Sequence, residues 1–143
     1  MPSTQTINWL KFAALALLVA PGLLLALAAA PATAGIATLV FDLIFWPVDG
    51  LQSLANPETR LLAAVCGGVM AGWGVMIWLL AAEGFRADPP LARKAIVASG
   101  IIWFVIDTAG SFAAGAPFNL IGNLVLLLAF AAPLWRPLTP QHG

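Results

Sequence analysis

The sequence predicts an all-α integral membrane protein with four transmembrane helices and an interfacial amphipathic segment between the first two. Three observations carry that expectation. The composition is 62% hydrophobic and 8% charged, whereas a soluble domain is about 25% charged. A chain of 143 residues has no soluble way to hide so much apolar surface. The apolar residues also gather into four runs, at 8–30, 60–82, 93–113 and 117–135. Each run is near the ~20 residues that a helix needs to cross the hydrocarbon core. Finally, the runs are continuous rather than alternating, so they do not read as barrel strands, and a spanning backbone must then be helical. The whole chain, 1–143, reads as one membrane domain.

The first run follows "MPSTQTINWLK" and precedes "PATAG". Ala32-Thr33-Ala34 before Gly35 fits the small-residue rule for signal cleavage. The apolar stretch from Phe12 to Ala30 is nevertheless longer than the ~7–15 residues of a signal core, so the expectation is a transmembrane helix. Pro21-Gly22 in its middle predicts a kink or local unwinding.

Residues 36–55 are apolar but carry Asp42 and Asp49 and are interrupted at Trp46-Pro47. Projected on a helix, Asp42, Asp49, Gln52 and Ser53 share roughly one face, which predicts a segment lying in the interface or dipping partway. A fifth crossing is the rival, for which the stretch 36–48 is short.

The second run contains "AAVCGGVMAGWG". Ala64, Gly68 and Gly72 recur every fourth residue, as do Ala63, Gly67 and Ala71. Small residues at that spacing let a second helix approach closely and gain dispersion contacts, where lipid offers no hydrophobic drive. The stripes suit packing inside the bundle first and packing against another protein second. Glycine there also makes room for a flat ligand such as a quinone, a carotenoid or a lipid tail.

The third run, "IIWFVIDTAG" at its centre, places Asp107 inside the membrane. It lies ~20 Å along the helix from Lys94 and ~12 Å from the turn near Gly115. An isolated charge at a helix centre costs ~2.5–3.5 kcal/mol on insertion scales. Asp107 is therefore expected to face protein with hydrogen-bonding partners, or to carry a proton. If the third and fourth runs form a hairpin centred on Gly115, residues at equal height have numbers that sum to 230. Asp107 then faces Asn123, and Ser111 faces Asn119. Both pairs are spaced i, i+4 on their own helices, so the four share one two-layer cluster. Gly100, Gly110 and Gly122 would let the two backbones come close. Arg60, at the outer end of the second span, is a further candidate partner if it snorkels inward.

Charge orients the chain. Lys11, Arg86, Arg93, Lys94 and Arg136 fall on one side of four spans. Arg60 stands on the other with Asp42, Asp49 and Glu58. The positive-inside rule puts both termini in the cytoplasm. Trp9, Trp46, Trp78 and Trp135 lie near span ends, where an aromatic belt forms. The Ala-, Gly- and Pro-rich, Lys-poor composition is associated with bacteria, which points to the cytoplasmic membrane or one derived from it.

Several chemistries lack their residues. Net charge is zero, and no basic patch serves nucleic acid. One cysteine, Cys66, cannot form an intrachain disulfide, and in an apolar run it reads as a small hydrophobe. The one histidine, His142, lies next to the C-terminus, so no span offers imidazole to haem, a metal or a nucleophilic triad. Asp42 and Asp49 do not form a calcium loop, and no glycine-rich stretch is followed by the Lys-Ser/Thr of a phosphate loop. No repeat of the transporter type is evident. The expectation is a non-catalytic accessory, assembly or scaffold subunit of a larger membrane complex, of which respiratory and photosynthetic complexes are examples. Its partners would be other membrane subunits and lipids, with no cofactor of its own. The alternative is an oligomeric carrier or channel for a proton or small solute, built on Asp107.

Overall fold

A computed structural model describes residues 1–135. Arg136 and His142, used in the charge and histidine arguments above, lie outside the described residues. The described chain is helical, with no strand among the described residues. Five helical stretches follow one another: α1 (Thr4–Ala29), α2 (Pro31–Ile44), α3 (Pro57–Ala87), α4 (Pro89–Ala113) and α5 (Asn119–Leu134). Three of them, α1, α3 and α4, are long and apolar enough to cross a membrane.

Each long helix starts where local chemistry directs. Ser3 caps α1 by accepting from the Thr6 backbone N–H at 3.1 Å. Asp88 caps α4 in the same way, accepting from Leu91 N–H at 3.0 Å ahead of Pro89-Pro90. Pro57 occupies the first turn of α3, where its missing N–H costs nothing. In α1, Pro21 removes a backbone donor, and the turns just before it, Ala14–Val19, relax into π-helix.

With α2 set aside, α1, α3, α4 and α5 run alternately up and down. Along the α1–α3 contact, Gly22 meets Gly67 and Ala71, Ala14 and Leu18 meet Gly74, and Lys11 sits over the Trp78 ring at 5.3 Å. Rising numbers on α1 thus meet falling numbers on α3. The closest point is Gly22 against Gly67. A Cβ on Gly22 would lie 2.6 Å from the Gly67 carbonyl oxygen and 2.7 Å from Ala71 N. Trp73 joins the two halves of the bundle, with its ring 5.5 Å from Trp103 on α4 and 6.4 Å from Phe130 on α5. Trp9 closes the circle by donating Nε1–H to the Ala129 carbonyl at 2.8 Å. The core beneath holds Leu10, Leu18, Ile77, Phe85, Ile96 and Phe130.

Two elements differ from the sequence expectation. The fourth span, expected over 117–135, begins only at Asn119, because Gly115 takes a left-handed conformation (φ 74°) and closes α4. Ala116 N–H donates to the Ser111 carbonyl at 2.8 Å and Gly115 N–H to the Phe112 carbonyl at 3.1 Å, the pair of hydrogen bonds of a glycine-terminated helix. Residues 116–118 are spent in the turn, so α5 is 13 residues of α-helix and a last 3 of 3-10 helix. The second difference is the segment 36–55. Its helix stops at Ile44, since the residue before Pro47 is biased out of the helical region. Asp49, Gln52 and Ser53 are therefore in irregular chain and share no helical face with Asp42. Asp42 itself is buried, 4% exposed, and turns back to accept from Gly50 N–H at 2.9 Å.

Candidate functional site

The hairpin of α4 and α5 gathers polar residues from two otherwise apolar helices. Asp107 and Ser111 project from the last turns of α4, and Asn119 and Asn123 from the first turns of α5. Asp107 Oδ2 accepts two amides at once, from Asn123 Nδ2 at 2.7 Å and from Asn119 Nδ2 at 2.9 Å. Asn119 Nδ2 also donates to Ser111 Oγ at 2.8 Å. Ser111 in turn donates to the Asp107 backbone carbonyl at 2.7 Å, the i−4 bond a helical serine makes. Asn123 is 2% exposed, and it donates further to Thr108 Oγ1 at 3.2 Å.

The arrangement stabilises an acid without a cation. Two amide groups bring four N–H donors to one edge of α4, and the carboxylate supplies the acceptor. Dipoles fixed by two packed helices take over the role that water plays for an exposed carboxylate. Within the described residues Asp107 has no ion-pair partner. Arg60 does not join it. The guanidinium turns away along its own chain, where Nη1 donates to the Leu54 carbonyl at 3.0 Å and to Ala55 at 2.6 Å. Those carbonyls lie in the irregular chain just before α3 and have no ladder partner, which gives the cation a local destination.

Thr108 is the member that sequence spacing does not single out. It follows Asp107 directly, so it lies about 100° around the helix and not on the i, i+4 stripe. A hydroxyl flanking an acid within an apolar run was the available signal. The glycines play a smaller part here than their spacing implies. Gly100 is buried with Leu127 Cδ1 3.7 Å from its would-be Cβ, but Gly110 faces open space and Gly122 is near nothing closer than 3.9 Å. Side-chain hydrogen bonds, not backbone contact, tie the half of the hairpin next to its turn.

The two small-residue stripes of α3 separate cleanly. Ala63 and Gly67 are buried and Ala71 is half-buried, all on the α1 side. Gly68 and Gly72 are exposed, with nothing within 4 Å of a would-be Cβ, and Ala64 is half-buried between the two faces. Cys66 is exposed on the same helix. Beside the polar cluster, Leu43, Ile44 and Trp46 approach Phe118, Asn119 and Gly122 around a cavity of about 440 Å³. No group of three or more metal-ligating side chains occurs among the described residues. Comparison with protein-family models, curated proteins and solved structures gives no match.

Proposed function

We propose that the chain is a small, non-catalytic integral membrane protein that serves as an accessory, assembly or scaffold subunit of a larger membrane complex. The observation that carries this reading is the free stripe on α3. One face of that helix is used up by α1, while Gly68 and Gly72 stand exposed beside Val65, Val69 and Leu61. Small residues flanked by large apolar ones are the surface on which a second membrane helix packs. In this reading α5 is the fourth crossing, slightly short and continued by its turns, and α2 covers the outer ends of α1 and α3. Lys11, Arg86, Arg93 and Lys94 lie at one end of the bundle, which favours cytoplasmic termini in a bacterial inner membrane or one derived from it. The Asp107 cluster acts as a polar clamp for the hairpin.

The test is extraction of the tagged chain in a mild detergent followed by native mass spectrometry. A subunit leaves the membrane with defined partner polypeptides at fixed stoichiometry. Gly68→Leu with Gly72→Leu should lower partner recovery on the order of tenfold, since overpacking a helix contact costs about 1–3 kcal/mol, and should not destabilise the chain itself. A chain that runs alone as a monomer, or a partner indifferent to both substitutions, overturns the reading.

A further inference from the structure

A second feature stands at the opposite end of the same hairpin. Between α4 and α5 runs an open groove of about 860 Å³, within the ~300–1,000 Å³ range of small-molecule sites. Its floor is apolar, with Val97, Ile101 and Leu128 among the lining residues. Its mouth is different. Arg93 and Lys94, in the second turn of α4, line the same groove, and Trp135 stands across from them on the other wall. The Lys94–Ile101 stretch alone covers ~10 Å along the helix axis.

The two cations are uncommitted. Among the described residues neither has a carboxylate within ion-pairing distance; Arg93 makes one long hydrogen bond, 3.4 Å from Nη2 to the Trp135 carbonyl. The nearby acids are engaged elsewhere. Asp88 caps α4 through Leu91 N–H, and Glu83 pairs with Arg86 at 3.4 Å. Two positive heads over an apolar trough match a ligand with an anionic head and hydrocarbon tails. A packed helix from another protein would cover the trough and leave the cations unanswered. An apolar quinone or carotenoid would do the same.

We infer that the α4–α5 groove is a binding site for an anionic phospholipid, with its phosphate on Arg93 and Lys94 and its acyl chains along Val97, Ile101 and Leu128. The heads sit where the headgroups of a bilayer lie, at the end of α4 that carries its first turns, and basic pockets between spanning helices hold such headgroups. Trp135 provides the amphipathic ring that favours this depth.

The experiment is native mass spectrometry of the full chain from a neutral detergent, titrated with phosphatidylglycerol or phosphatidylcholine of identical acyl chains, and separately with inorganic phosphate. Phosphatidylglycerol should be retained on the order of 30-fold better than phosphatidylcholine, about fivefold from each basic side chain. Arg93→Gln with Lys94→Gln should erase that preference while leaving helicity unchanged. Ala98→Trp, which fills the trough and keeps both cations, should lower retention of both lipids. Phosphate alone should not bind detectably, because the tails supply most of the contact. The inference is overturned if the wild-type chain does not discriminate between the lipids, if the charge-neutral variant keeps the preference, if the filled groove binds as well as the open one, or if phosphate alone accounts for the binding. A dimer or a bound polypeptide in place of lipid overturns it too.

Discussion

The α1–α3 crossing and the α4–α5 hairpin solve one problem by opposite means. Two apolar helices in lipid have no hydrophobic reason to meet, because lipid tails are as apolar as leucine. The α1–α3 pair meets by removing side chains. Gly22 and Gly67 let the backbones touch, and no side-chain hydrogen bond joins the two helices among the described residues. The α4–α5 pair meets by adding polar side chains. Gly110 faces open space, and five polar residues exchange the hydrogen bonds that hold the half next to the turn together. Steric fit is unforgiving, since one added carbon has nowhere to go. A polar network is divisible, since each bond is lost separately and the remaining donors stay in place.

The comparison is broken or sharpened first at Gly67. Its would-be Cβ falls against the Gly22 carbonyl oxygen and 2.6 Å from Ala26 N, both backbone atoms that cannot swing aside. Gly67→Val should cost about 3 kcal/mol or more of unfolding free energy, measured by titration from mixed micelles into sodium dodecyl sulfate. A loss under ~1 kcal/mol would mean that the crossing is not sterically set.

The hairpin should respond more gently. Asn123→Leu removes two hydrogen bonds but leaves Asn119 on Asp107, so a loss of about 1–2 kcal/mol is expected. Paired with Asp107→Leu in a double-mutant cycle, it should show a coupling of ~0.6–1.7 kcal/mol. Independent effects would remove the clamp.

The smallest effect has the opposite sign. Gly68→Ala, one residue from Gly67, meets nothing within 4 Å and should stabilise the helix by about 0.5–1 kcal/mol. A side chain added at either of two neighbouring glycines would then move stability in opposite directions. If Gly68→Ala destabilises the isolated chain, that face is already occupied within it.

Much of the helical layout was legible because apolar length and capping are local. Gly115 between two runs acts on the turn it belongs to. The i, i+4 spacing of Asp107 with Ser111, and of Asn119 with Asn123, is likewise a property of single helices. The polar face projected over 36–55 does not form, for a related reason. A projected polar face assumes that the helix continues, and Pro47 ends it before Asp49 is reached.

By itself the sequence determined the three long apolar helices, the turn at Gly115 and which residues share a stripe within those helices. The tertiary structure alone decided which stripe of α3 is covered, that Arg60 turns to the carbonyls of its own loop, that Asp42 is buried, and that Thr108 joins the hairpin cluster. Periodicity fixes the faces of one helix but not the rotation of one helix against another. A single hydroxyl or one missing Cβ acquires its meaning only when a second backbone arrives within a few ångströms.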